Sequence, residues 1–365
     1  MRYNSALDGP RAASRLNNFS SLRLLFASAV IFSHSPSILT GMVALEPHLG
    51  RATLGELAVD GFFLISGYLI TKSFDHDSNL GGFFRKRALR IYPAFIINML
   101  LCLFVLAPLV TKKYQPSLLW LPHLLFLGGP RVDGGLFEGM PMPGLNGPVW
   151  TLAYEFRCYI LVGILGCVLG LRRVRSAILG AAIVLLALSG LHFLPGSSGA
   201  VYVVLGSPSD GARLFGMFAA GMSFYLWRDR VVYDHRIAAV ATRCFLAASL
   251  RAPVVAELVI ALCGGYLVFW AALKVPALLL SRFGDRTDLS FGIYLYAWPI
   301  QMSIAYALDK SINPWLLSCI ALAGAAIAAH FSWSVVEKPA MSFAKGTRAV
   351  CRGWRRPNDS DLPRP

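Results

Sequence analysis

Long apolar runs alternate along this chain with short polar and basic connections. The runs lie at about 21–40, 54–74, 89–110, 149–170, 176–194, 211–227, 237–250, 253–272, 287–308 and 313–335. A helix needs roughly 20 apolar residues to cross a hydrocarbon core about 30 Å thick. The pattern therefore predicts an all-α, polytopic bundle of about ten transmembrane helices. The run at 237–250 is the weakest, because it is short and carries Arg243. Leu118–Gly128 is too short to cross and reads as interfacial or re-entrant. Around these spans, residues 1–18 read as a mobile basic leader, 19–340 as the membrane domain and 341–365 as a basic tail.

Composition agrees with that division. Hydrophobic residues make up 56% of the chain and charged residues 15%, against about 25% charged in soluble domains. The net charge of +15 raises the question of nucleic acid, but the basic residues do not gather on one domain. They sit between spans, as topology requires. Arg85, Lys86 and Arg87, then Arg172, Arg173 and Arg175, then Arg228, Arg230 and Arg236, then Lys274, Arg282 and Arg286, and finally the tail all fall on one side. The other side has only Arg51, Lys112, Lys113, Arg131, Arg251 and Lys310. This asymmetry predicts that both termini are cytoplasmic and excludes a nucleic-acid partner. The seven cysteines show no CxxC or zinc-type spacing and read as small core residues, so no metal is expected.

Candidate chemistry begins in the first span, Ser21–His34, where only Arg23 and His34 interrupt the apolar sequence. Arg23 lies in the first turn and can snorkel, whereas His34 lies roughly 16 Å further along. An ionisable group at that depth normally faces a cavity or a partner. The plainer reading is a histidine that hydrogen-bonds across a helix interface; the sharper one is a general base. Counting from the outer ends of their spans, His34, Asp60 and Glu155 share a depth of about 9 Å, which predicts a buried His/Asp/Glu cluster. On the opposite side Arg85, Arg87 and Arg90 head the third span and, with Arg23, suggest a guanidinium cluster for phosphate oxygens. Topology alone also accounts for these arginines. Trp150, Tyr154 and Tyr159 flank Glu155 and either line a sugar-sized cleft or anchor the interface. Glu337 ends the last span, where it is structural or near a cofactor mouth. The Gly- and Pro-rich connection 111–148 is long enough to cap the external mouth.

These motifs resemble acyltransferase family three, membrane proteins that acylate surface polysaccharides and other acceptors. Arg23 and His34 match its first-helix signature, VDGFFLISGYLI (59–70) its second-helix element, and Arg87 and Arg90 with Tyr92-Pro93 its RxxR element. GPVWTLAYEFRCY, LSFGIYLYAWP and WSVVEKPA match three later elements in order. The resemblance implies transfer of an acyl group, usually acetyl, from cytoplasmic acyl-CoA to a glycan or glycolipid hydroxyl at the bacterial inner membrane. It makes His34 the essential histidine and Arg23, Arg87 and Arg90 the functional arginines. In that scheme Asp60 and Glu155 orient the imidazole, and the basic mouth, Arg85 included, holds the CoA phosphates. Many members carry a second histidine where this chain has Tyr296-Ala297-Trp298-Pro299. A rival from another class is a proton-coupled transporter or flippase with His34, Asp60 and Glu155 as its relay.

Overall fold

The computed structural model describes residues 17–111, 121–128, 136–142, 144–191, 194, 206–251, 255–276 and 288–342. The expected leader and tail fall almost wholly outside these. Within them, every predicted apolar run is helical. The helices are α1 (Phe19–Thr40), α2 (Leu54–His76), α3 (Leu80–Val110), the short α4 (Leu121–Leu125), α5 (Trp150–Val168), α6 (Arg175–Gly190), α7 (Pro208–Leu226), α8 (His235–Arg251), α9 (Ala256–Leu273), α10 (Ser290–Ala307) and α11 (Pro314–Ser342). Among the described residues six of them, α1, α2, α3, α5, α9 and α11, are both long and apolar enough to cross a membrane. The chain is therefore a multi-pass membrane protein.

Local chemistry sets the ends of the helices near the site. Gly41, at φ 74°, accepts the left-handed turn that ends α1, and its N–H closes on Ser37 O. A two-stranded hairpin, β1 (His48–Leu49) and β2 (Ala52–Thr53), then turns the chain back. Its turn presses on α8 so closely that a Cβ on Gly50 would lie 1.7 Å from Ser249 O. Thr53 and Glu56 then form a reciprocal capping box that starts α2.

Packing follows the small residues. A Cβ at Gly67 of α2 would lie 2.1 Å from Phe218 O of α7, and one at Gly221 of α7 would lie 2.1 Å from Leu64 O. With no side chain in the way, the two backbones touch, the usual device where lipid offers no hydrophobic contrast. On its other side α1 packs against α2, α10 and α11. This places His34 and Arg23 inside the bundle, facing α10.

The connection after α3 is not a free outer loop where it is described. Asn146 Nδ2 donates to Asn98 Oδ1 (2.9 Å) and Leu295 O (2.7 Å). Phe137 is fully buried, and the Trp298 indole donates to Gly144 O at 3.1 Å. The segment before α5 therefore dips into the bundle, and α5 begins inside it.

Candidate active site

His34 sits in a serine-rich turn. Ser33, Ser35 and Ser37 of α1 are all fully buried. Glu46, carried back by the hairpin approach, reaches into this turn and is 4% exposed. Its Oε1 lies 3.3 Å from His34 Nδ1, and Ser33 donates to Oε2 at 2.6 Å. Ser37 donates to Oε1 as well. Burial pushes the Glu46 carboxyl up, but hydrogen bonds from His34, Ser33 and Ser37 outweigh it and hold the group below its usual range. An ionised Glu46 accepts a hydrogen bond from Nδ1–H, which leaves Nε2 with a lone pair. The edge of Trp298 meets the imidazole at 5.4 Å and 79°, so one face of the ring is fixed by packing.

At the other end of α1 the chemistry is ionic. Arg23 Nη1 donates to Asp288 Oδ2 at 2.6 Å, and Arg90 Nη2 donates to the same oxygen at 2.7 Å. Arg90 Nη1 also reaches Glu337 Oε2 at 2.9 Å, and its guanidinium lies over the rings of Phe291 and Trp333 at 5.5 and 5.6 Å. Ser290 completes the shell, donating to Asp288 Oδ1 at 2.6 Å. Burial opposes ionisation of Asp288, but Arg23, Arg90 and Ser290 more than offset it and keep its carboxyl well below the usual range. Four segments far apart in sequence thus meet in one network of two cations and two anions.

A family model described as an acyltransferase domain matches residues 16–333. The chain belongs to acyltransferase family three, and it is an acyltransferase. It is 27% identical over 345 residues to an O-acetyl transferase of Shigella phage Sf6, covering 88% of this chain and 95% of that protein. With Nodulation protein 10 of Rhizobium leguminosarum bv. viciae it shares 30% identity over 375 residues, 89% of this chain and 93% of the relative. Acyltransferase MdmB of Streptomyces mycarofaciens matches a shorter stretch, 29% identical over 159 residues, 41% of this chain and 39% of that one. No solved structure matches.

The family's motifs converge in the fold, but not in the grouping that depth counting predicts. Gly55 N–H donates to Ser33 Oγ at 2.9 Å, so α2 enters at the level of His34. Asp60 lies roughly 7.5 Å deeper on α2 and turns to α7, where Arg213 Nη1 is 3.6 Å from its Oδ1. Glu155 is deeper still. It accepts from Ser66 (2.7 Å) and Tyr159 (2.6 Å), and it lines a small cavity of about 40 Å³ with Arg23, Phe62 and Tyr294. The expected His34/Asp60/Glu155 cluster does not form, because the segment before α5 dips inward and carries Glu155 to the depth of Arg23. Among the described residues each of the three has its own partners, Glu46 for His34, Arg213 for Asp60, and Ser66 and Tyr159 for Glu155.

The remaining candidates also separate. Arg87 is buried, donates to Phe83 O at 3.2 Å and stacks on the Phe83 ring at 4.1 Å. Arg85 is half-buried on the same turn of α3. Of the four arginines, Arg23 and Arg90 share Asp288. Trp150 and Tyr154 stack edge to face at 5.5 Å. Tyr154, however, spends its hydroxyl on Ser207 O (3.1 Å), which ties α5 to the start of α7. Tyr159 is buried and donates to Glu155 at 2.6 Å, so its hydroxyl and that of Tyr154 serve different partners. Sequence reasoning missed Glu46, Asp288 and Arg213. Glu46 had a signal: it is the first acid after His34, following a turn with three serines in five residues (SHSPS). No metal-binding group of three or more His, Cys, Asp or Glu occurs among the described residues.

Proposed function

We propose that this acyltransferase moves an acyl group, acetyl in the first instance, from cytoplasmic acyl-CoA to a hydroxyl of a cell-surface glycan or its lipid-linked precursor. It does so from the bacterial inner membrane, with ten crossings and both termini in the cytoplasm. The observation that carries the reading is the pair of half-buried His34 and buried Glu46 at one end of an apolar helix whose other end carries the arginine network. The relative named O-acetyl transferase supports acetyl.

In this reading His34 Nε2 takes the proton of the acceptor hydroxyl as its oxygen attacks the thioester carbonyl. The tetrahedral oxyanion collapses, the C–S bond breaks, and the CoA sulfur leaves with the proton that His34 returns. Glu46 keeps Nδ1 protonated and stabilises the imidazolium between the two transfers. CoA phosphates bind at the arginine end. Arg23 and Arg90 are already neutralised there by Asp288 and Glu337, so an incoming phosphate exchanges for a carboxylate instead of filling an empty clamp. Along α1, roughly 16 Å separates the two ends. The cavity beside Arg23 has room for about three waters at 10–15 Å³ each, so its walls, Phe62 and Tyr294 among them, must part before a thioester arm can pass toward His34.

Mass spectrometry of surface glycan from cells with the gene, without it and with His34→Ala tests the reading. An acyl mass present only with the wild-type gene is the expected result. Identical glycan in all three would overturn it.

A further inference from the structure

At the same end of the bundle as the arginine network, α6, α7 and α9 enclose an apolar groove of about 310 Å³. Its floor is made of small residues, Ala182, Ala220 and Ala261, all buried. Its rims, Ile183 and Leu262, are 50% and 67% exposed on the outer surface of the bundle. Small side chains under large exposed ones leave a slot for a chain, not a packed interface. A π-turn in α9, Ile260–Gly264, supplies Ala261 and Leu262; such turns frequently mark functional sites.

The groove ends at Trp227, and the groups around that indole set its chemistry. Arg175 and Arg230 lie over the ring, at 4.2 and 4.9 Å from its centre. Among the described residues neither makes an ion pair. Nearby Arg172, by contrast, is held by Asp75 at 2.8 Å. Trp227 Nε1 is buried and has no hydrogen-bond partner. Two guanidiniums with no ion pair among the described residues and an unsatisfied N–H thus gather at one indole, where the apolar groove meets the polar end of the helices. Tyr225 donates to Asp75 near the C-terminus of α2, which fixes this point at the interfacial end of the bundle.

We propose that this groove is a binding site for an anionic phospholipid of the adjoining leaflet. One acyl chain lies over Ala182, Ala220 and Ala261, and the phosphate takes hydrogen bonds from Arg175, Arg230 and the Trp227 indole. Basic pockets between membrane helices at the cytoplasmic side recognise acidic headgroups in this way, and a planar guanidinium suits phosphate geometry. The site is separate from His34 and does not depend on the identity of the acyl donor or acceptor.

Native mass spectrometry of the purified protein, titrated with phosphatidylglycerol and with phosphatidylcholine of the same chains, tests the proposal. Wild type is expected to retain phosphatidylglycerol preferentially. Arg175→Ala and Arg230→Ala should each cut that preference about fivefold, while Arg175→Lys and Trp227→Phe cut it less. Size-exclusion profiles identical to wild type establish that the variants are folded. Equal retention of the two lipids by wild type would overturn the site, as would a preference unchanged in the folded double-alanine variant.

Discussion

The two ends of α1 solve the problem of burying polar groups with different materials. At His34 the shell is neutral hydroxyls around a single carboxylate, and among the described residues the imidazole's polar contact is to Glu46. At Arg23 the shell is ionic, with Asp288 shared between two guanidiniums and Glu337 buried behind the second. The carboxylate is held by Ser33 and Ser37 whichever form the imidazole takes, so the histidine can gain and lose a proton beside it. The ionic shell is balanced as it stands, and removing any member leaves another uncompensated. The first arrangement suits a group that changes charge in each turnover. The second suits a joint that binds α1, α3, α10 and α11 together and yields only to a competing anion.

Mutation separates the two. His34→Ala should reduce acyl transfer by about 10²–10⁴-fold, the usual contribution of a general base, with an unchanged thermal midpoint in detergent. Transfer rates within a few-fold of wild type would remove His34 from the chemistry. Asp288→Asn should act the other way round. It strands Arg23 and Arg90 and should cost about 3–5 kcal/mol of stability, seen as a lowered midpoint before any kinetic change is assigned. A stable Asp288→Asn protein with weakened acyl-CoA binding would instead make the network a ligand clamp.

Much of this was legible in the chain, and the exceptions share a cause. Each predicted apolar run is a helix, since runs of that length have few alternatives in lipid. His34 faces Glu46 and Trp298 within the bundle, as its isolation in apolar sequence implied, whereas Arg23 and Arg90, read as a mouth cluster, meet at Asp288. The His34–Asp60–Glu155 grouping failed because depth was counted from span ends as though every span began at the surface. Asn146 and Gly147 violate that assumption: the former is tied to Asn98 and Leu295, and a Cβ on the latter would meet the Trp298 ring at 2.9 Å. Glu46 was overlooked because it lies outside a helix, where hydrophobic periodicity is silent; Asp288 sits at the edge of the run 287–308, two residues before its helix begins.

Acid should sharpen the comparison. Glu46 and Asp288 are both held below the usual carboxylate range. Their stabilisation is therefore complete above the unfolded values of about 4, and it is lost only as pH falls through the lower folded values. The midpoint of the wild type should stay level from neutral pH to about 5 and decline below it. Asp288→Asn and Glu46→Gln should each flatten that decline, and a decline unaltered in both would mean other carboxylates govern it. The smallest effect belongs to Tyr154→Phe. Losing one bond to Ser207 O should cost about 1 kcal/mol with kcat and KM unchanged. A raised KM would return Tyr154 to the acceptor site.

The central claim is that Glu46, and neither Asp60 nor Glu155, orients the catalytic histidine. A kinetic double-mutant cycle on His34→Gln and Glu46→Gln, with Asp60→Asn as the outside control, measures it directly. The account predicts that the double variant is no slower than His34→Gln alone, a coupling of about 1–3 kcal/mol, and that Asp60→Asn adds its own effect independently. Losses at His34 and Glu46 that simply add, together with strong coupling between His34 and Asp60, would contradict it.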